Sequence, residues 1–222
     1  MARRRTYSDE QILSAVRDLL LAEGPRGVTT AAVSARSGAP VGSLYHRFPS
    51  RSAMVAQLWI RTIRDFHQFL LAAAERSEPG LDRALTVALA TIDFAAQYPE
   101  DARLLAMASR EELRSSEGLT ADLVDALDDL NAPAEALAAQ LARELYGRAS
   151  RPAVERVVFA VFGIPYTAVR HRRPGRDLGP MRELVRVASR AALEADLSAS
   201  APAPSSPATP TSPKATPTRR SR

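Results

Sequence analysis

The sequence predicts an all-α protein, and three observations carry that prediction. Alanine and leucine dominate the 222 residues, aromatics are 5% of them and β-branched runs are few, a composition that favours helices over strands. Apolar residues recur three and four apart in one segment after another, the period of a helix with a single buried face. Serine, threonine, proline and glycine punctuate those segments where helices start and stop. About nine helices are expected, in a chain long enough to bury a sizeable core.

Ser8 is placed to cap a first helix, with Gln11 completing a capping box and Asp9 and Glu10 suited to the positive helix end. Ile12, Val16, Leu19 and Leu20 keep helical spacing, and Gly24-Pro25 ends the run. Thr29 caps a short second helix carrying Ala32, Val33 and Ala35, and Gly38 suits the left-handed conformation that closes it. Pro40 opens a third short helix, where a missing N–H costs nothing. Leu44 and Phe48, four apart, give it one inward face, so Ile12, Val16, Leu19, Val33, Leu44 and Phe48 can share a small core. A bundle of that size is marginal alone and leans on the next helix.

Arg51 to roughly Arg76 reads as one long helix with Val55, Leu58, Trp59, Ile63, Phe66 and Leu70 on its apolar face. After Pro79-Gly80, Leu81 to Tyr98 is apolar nearly all round and is the candidate central helix. Pro99 marks a boundary, Asp101 to Arg114 is a shorter helix, and residues 115–118 are a loop. Thr120 caps a segment through Leu130, and Asn131-Ala132-Pro133 separates it from Ala134 to Tyr146. Ser150 and Pro152 open a helix to about Arg172, kinked at Pro165, with Pro174-Gly175 ending it. The last helix, Pro180 to Leu197, carries Met181, Leu184, Val185, Ala188, Ala191 and Ala192 on one face. Two such late helices, with small and β-branched faces, suit packing against a second copy of themselves.

Of the 25 residues from Ser198, ten are Ser or Thr, six Pro and five Ala, with Lys214, Arg219, Arg220 and Arg222 the rest. That composition buries no core and reads as a disordered basic tail. The expected organisation is residues 6–66, residues 67–197 and the tail 198–222. No internal repeat is evident.

With no cysteine in the chain, disulfides, thiolate metal sites and cysteine nucleophiles are excluded, which fits a reducing compartment. No apolar run reads as a membrane span and no signal-peptide segment succeeds MARRR, so a cytoplasmic, nucleoid-associated protein without a membrane is the expectation. His46, His67 and His171 lie far apart, and neither a metal nor a cofactor is implied. Charge is uneven: residues 1–51 hold eight Arg against four acids, residues 52–197 hold 18 against 21, and the last 25 hold four cations and no acid. A basic N-terminal segment on a slightly acidic body points to a polyanion for that segment.

The outward face of the third helix says which polyanion. Val41, Gly42 and Ser43 form a low surface beside Pro40, able to lie against base edges in a DNA major groove: Val41 for a thymine methyl, the Ser43 hydroxyl for a donor or an acceptor. Tyr45, His46, Arg47 and Arg51 are long enough to reach phosphates, Thr29 and Thr30 put hydroxyls and N–H groups at a helix N-terminus, and Arg3, Arg4 and Arg5 can follow the backbone or enter the minor groove.

Val28-Thr29, Val33, Gly38, the run Gly42 to Phe48, Ser50-Arg51 and Met54 resemble the N-terminal DNA-binding domain of the TetR family of transcriptional repressors. That pattern is Val-Thr, an aliphatic, Gly, then Gly-x-Leu-Tyr-x-x-Phe and a Ser-Lys pair. The resemblance covers residues 6–66, with the helix-turn-helix about 29–48. Ser34 and Ser37 stand where alanine is common, Pro40 where a capping Ser often sits, and Arg51 where Lys is usual. The resemblance implies a homodimer built on the last two helices, a double-stranded operator with near-palindromic half-sites ~34 Å apart, and a small-molecule effector that releases the repressor.

For that effector, expected to be largely apolar, Trp59, Phe66, Phe94, Met107, Phe162 and Tyr166 are the candidate contacts, although helical spacing makes each singly more often core. An activator or architectural DNA binder would use the same helix-turn-helix without ligand control. A helical enzyme using a buried acid such as Asp93 or Glu112 is the remaining reading, and no catalytic motif supports it.

Overall fold

The computed structural model describes residues 7–171 and 177–195, and among these every regular element is helical. They run α1 (Asp9–Glu23), α2 (Thr30–Ser37), α3 (Val41–Arg47), α4 (Arg51–Glu75), α5 (Leu81–Gln97), α6 (Pro99–Met107), α7 (Arg110–Arg114), α8 (Ala121–Asp128) and α9 (Ala132–Tyr146). Next, α10 (Arg151–Val157) continues through a π-helical stretch, Val158–Gly163, into α11 (Ile164–Arg170), and α12 (Gly179–Glu194) is last. The arginine arm Arg3 to Arg5, the Arg172 to Gly175 stretch and the C-terminal tail lie outside the described residues.

The N-terminal bundle forms as its pattern dictates. Ser8 and Gln11 make the capping box of α1, and the six apolar residues expected to share a core, from Ile12 to Phe48, are all buried. Leu104 of α6 joins that cluster together with Met54 and Leu58 of α4, so the bundle does lean on elements beyond it. A second tie lies at the start of α4. Ser50 caps the helix by accepting from the Ala53 N–H at 2.9 Å and donates its hydroxyl to the Gly118 carbonyl at 2.7 Å. Gly118 has φ 79, and a Cβ there would come within 2.9 Å of the Ser50 side chain, so only glycine allows the approach.

The central position of α5 stems from its composition: Leu85, Val87, Leu89, Ile92 and Phe94 are all buried, with α4, α6, α9, the π stretch, α11 and α12 around it. One polar hub sits inside this packing. Arg83 donates to the Ala74 carbonyl at 2.9 Å and to the Ser77 carbonyl at 3.0 Å, satisfying the end of α4, and also donates to Glu144 of α9. Glu144 in turn accepts from the Gly80 N–H at 2.9 Å. Burial alone would raise the Glu144 pKa, but the hydrogen bonds from Gln140, Gly80 and Arg83 outweigh it and hold the carboxyl below its usual value.

Three boundaries differ from the sequence reading. The expected helix Asp101 to Arg114 is two helices, because Ser109 starts a fresh capping box with Glu112, and its local bonds compete with continuation. Pro99 lies inside α6, in its first turn, where proline is tolerated. The break near Pro133 falls earlier, at Asp129 to Asn131. The expected kink at Pro165 takes the form of the π stretch preceding it. There the Ile164 N–H reaches back five residues to the Phe159 carbonyl, a wider turn that makes room for the ring.

Finally, the face expected of α12 divides in two. Val185 is buried with Ser189 and Leu193, whereas Leu184, Ala188 and Ala191 are exposed. By length and composition alone Arg151–Arg170 is apolar enough to cross a membrane, at mean hydropathy 1.3, which qualifies the expectation that no run reaches that mark. Here its Val157, Ala160 and Val161 are packed in the protein core.

Candidate DNA-binding interface

The α2–α3 turn is built from the chain's own serines. Thr29 caps α2 by accepting from the Ala32 N–H at 3.1 Å, and Gly38 closes it at φ 73. Ser34 donates to the Ala39 carbonyl at 2.7 Å, while Ser37 donates to the Val33 carbonyl at 2.7 Å and accepts from the Ala39 N–H at 3.2 Å. Ala39 is fully buried, so these bonds satisfy backbone groups that water does not reach. The turn is thereby fixed without a side-chain cap on α3: Pro40 offers only its carbonyl, which accepts from Ser43 at 2.8 Å and from Leu44 at 3.2 Å. Ser34 and Ser37 are the positioning residues missed by reading the sequence, and their signal was present, since serine within a short helix competes for backbone groups.

On this frame α3 buries Leu44 and exposes the other side. Pro40, Val41, Gly42, Tyr45, His46 and Arg47 are exposed and Ser43 is half-buried. Val41 is 42% and Tyr45 58% accessible. Gly42 lies in the same surface, and a Cβ built on it would meet no atom within 4 Å. Among the described residues nothing therefore requires a glycine there, although glycine weakens a helix. A surface free of side-chain bulk, flanked by an aliphatic and a hydroxyl, can be approached closely by a rigid partner such as a base-pair edge.

The basic residues around that surface are held to different degrees. Arg47 donates to Asp9 at 2.7 Å, Arg36 to Asp18 at 3.1 Å and Arg61 to Glu10 at 3.2 Å, so acids of α1 orient cations from α2, α3 and α4. Such exposed pairs are worth little in stability. Arg51 donates to the Pro25 carbonyl, which turns its guanidinium toward the α1–α2 connection. Thr29 is exposed and Thr30 half-buried at the N-terminus of α2.

The six candidate ligand contacts do not form one site. Trp59 and Met107 line a common cavity of about 350 Å³ between the N-terminal bundle and α6–α7. Phe66 and Phe94 meet edge to face at 5.0 Å and, with Phe69 and Tyr98, make an aromatic cluster. Phe162 packs partly on the central core, and Tyr166 is exposed on α11. Of the two acids named for catalysis, Asp93 pairs with Arg182 at 2.8 Å and Glu112 accepts from the Ser109 N–H at 2.7 Å. Neither is buried, which corrects the premise of that reading. Among the described residues no cluster of His, Asp and Glu is arranged to hold a metal ion.

Residues 12–58 match the sequence pattern described as bacterial regulatory proteins, tetR family. No curated protein matches the chain by sequence. Among solved structures, a TetR-like transcriptional regulator from Rhodococcus sp. RHA1 superposes with TM-score 0.64 at 14% identity, covering 86% of this chain and 98% of that one. The fatty acid degradation regulator FadR from Bacillus halodurans gives 0.61 at 14% identity, covering 84% and 98%. The ketosteroid transcriptional regulator KstR2 of Mycobacterium tuberculosis gives 0.57 at 18% identity, covering 85% and 95%. Residues 12–58 thus carry the tetR-family sequence pattern, and the described residues share the fold of these solved regulators.

Proposed function

We propose that this regulator is a cytoplasmic repressor that binds a near-palindromic operator as a homodimer and leaves it when a small, largely apolar molecule binds. The observation that carries the reading is the surface of α3: exposed Val41 and Gly42 beside half-buried Ser43, with a glycine that no contact among the described residues requires. Val41 and Ser43 read bases. Thr29, Thr30, Tyr45, His46 and Arg51, with Pro40 shaping the approach and Arg47 held by Asp9, keep the helix in register on the phosphates. Arg3, Arg4 and Arg5 reach the flanking groove. Dimerisation is supported by the exposed apolar side chains Phe159, Tyr166, Leu184 and Val187 on the last helices.

The test is binding to the chain's own promoter fragment, measured against random DNA of equal length across a salt series. The expected result is nanomolar affinity for the promoter, with a preference that survives added salt while non-specific binding is lost. Equal affinity for both sinks the reading. An activator or architectural protein would use the same face without an effector, and reporter output with and without the gene separates these from a repressor.

A further inference from the structure

The cavity between the two parts of the chain has an uncommon wall. Its N-terminal side is Leu20 of α1, Pro25 and Arg51, its floor is Trp59 of α4, and its far side is Leu104 and Met107 of α6 with Leu113 of α7. At about 350 Å³ it falls within the range of small-molecule sites. Trp59 is only 7% exposed, and its indole Nε1–H is buried with no acceptor among the described residues. A buried donor left unpaired costs free energy that a bound acceptor returns. Indole offers a donor and nothing else, so the missing partner is a hydrogen-bond acceptor. Among the described residues Arg51 donates to the Pro25 carbonyl, which leaves further N–H donors of its guanidinium, and Glu112, the acid in the wall, accepts from the Ser109 N–H at one of its two oxygens. The cavity is therefore largely apolar, with the Trp59 donor in its floor and Arg51, Ser52, Glu112 and Ser116 as the polar groups of its wall.

We infer that this junction cavity binds a small apolar molecule bearing one oxygen acceptor, a carbonyl or carboxylate, which takes the Trp59 indole hydrogen bond and lies along Leu20, Leu104, Met107 and Leu113. The molecule touches α1 and α4 on one side and α6 and α7 on the other, so it bears directly on how the DNA-binding helices sit on the rest of the chain. As an effector site the cavity rests on the repressor reading above; as a binding site it does not.

Trp59 is the single tryptophan of the chain, so its emission reports occupancy without any label. The full-length protein is titrated with octanoate, 2-octanone and octylammonium, the last carrying donors only. Octanoate or 2-octanone is expected to change Trp59 emission saturably, with octanoate the tighter if the Arg51 charge takes part, and octylammonium is expected to leave it unmoved. Trp59→Phe, followed by calorimetry, should weaken binding by about tenfold, and Ala108→Phe, which fills the cavity from its rim, should abolish it with the helical circular dichroism unchanged. Emission unmoved by all three compounds, octylammonium binding as well as the acceptors, or affinity unaffected by both variants overturns the site. Operator release is measured separately with the same compounds. Trp59 saturated with operator affinity unchanged overturns the effector role and leaves the site standing. Release by another compound with Trp59 unmoved overturns the site and leaves the effector reading standing.

Discussion

Gly42 and Glu144 show how single residues trade local stability against purpose. Gly42 sits in the first turn of α3 with open space where a Cβ would go, so Gly42→Ala should raise stability by about 0.5–1 kcal/mol in urea unfolding. The same methyl would stand between helix and base edge and should lower operator affinity by roughly tenfold. A variant with unchanged affinity would show that α3 does not approach DNA through this turn. Glu144 is the opposite case, a charge kept for structure. Its pKa is depressed when folded, so its stabilisation is present above the ordinary carboxylate value and is lost as pH falls through the lower folded value. Glu144→Gln should cost about 2 kcal/mol at neutral pH, and the gap to the parent protein should shrink as the pH is taken below the ordinary carboxylate range. Asp101, beside Arg17 at 3.0 Å, has the other sign. Burial raises its pKa above the ordinary value, so ionising it opposes folding, and that penalty is relieved as pH falls through the raised folded value.

At the scale of elements, the widened turn of the penultimate helix has a partner that the sequence did not announce. Within the π stretch the Ile164 N–H bonds to the Phe159 carbonyl, and in the same register the Ala160 carbonyl awaits residue 165, a proline with no N–H. The fully buried Ser189 of α12 supplies the donor, its hydroxyl 2.7 Å from the Ala160 carbonyl. Ser189→Ala leaves that carbonyl unsatisfied and should cost about 1–3 kcal/mol, read as a lower melting temperature. An unchanged melting temperature would mean that the carbonyl finds another donor. Elements of this kind mark the limit of what periodicity reveals. The capping box at Ser8, the small core from Ile12 to Phe48, the left-handed Gly38 and the long α4 were all legible, because each depends on residues within one or two turns of each other. The Ser189 bond, the Arg83–Glu144 hub and the Ser50–Gly118 contact join residues 29, 61 and 68 positions apart, and no local pattern carries them. For the same reason α3 could be recognised as the exposed face, while the ligand candidates scattered: aromatic spacing does not distinguish Trp59, beside a cavity, from Phe66, stacked in the core.

For the whole molecule, the proposed repressor reading makes the distance between two copies of α3 the decisive quantity, which one chain cannot set. The surface open for that purpose lies on α10 to α12, where Phe159 and Leu184 are each 63% exposed and Val158, Tyr166 and Val187 lie on the same helices. Apolar side chains of this size gathered on neighbouring helices mark an interaction face. Behind them Val157, Ala160, Val161, Val185 and Leu193 hold the same helices to the rest of the protein, so a charge on the outer side should break association without unfolding the chain. Phe159→Glu is the clean test. Its melting temperature at low concentration should stay close to that of the parent, while light scattering should show a monomer where the parent is a dimer. Operator affinity should then fall by roughly a hundredfold or more, because the second half-site is no longer reached at high effective concentration. A variant that stays dimeric places the interface elsewhere, and a monomer with full operator affinity would mean that each α3 binds its half-site independently of the other.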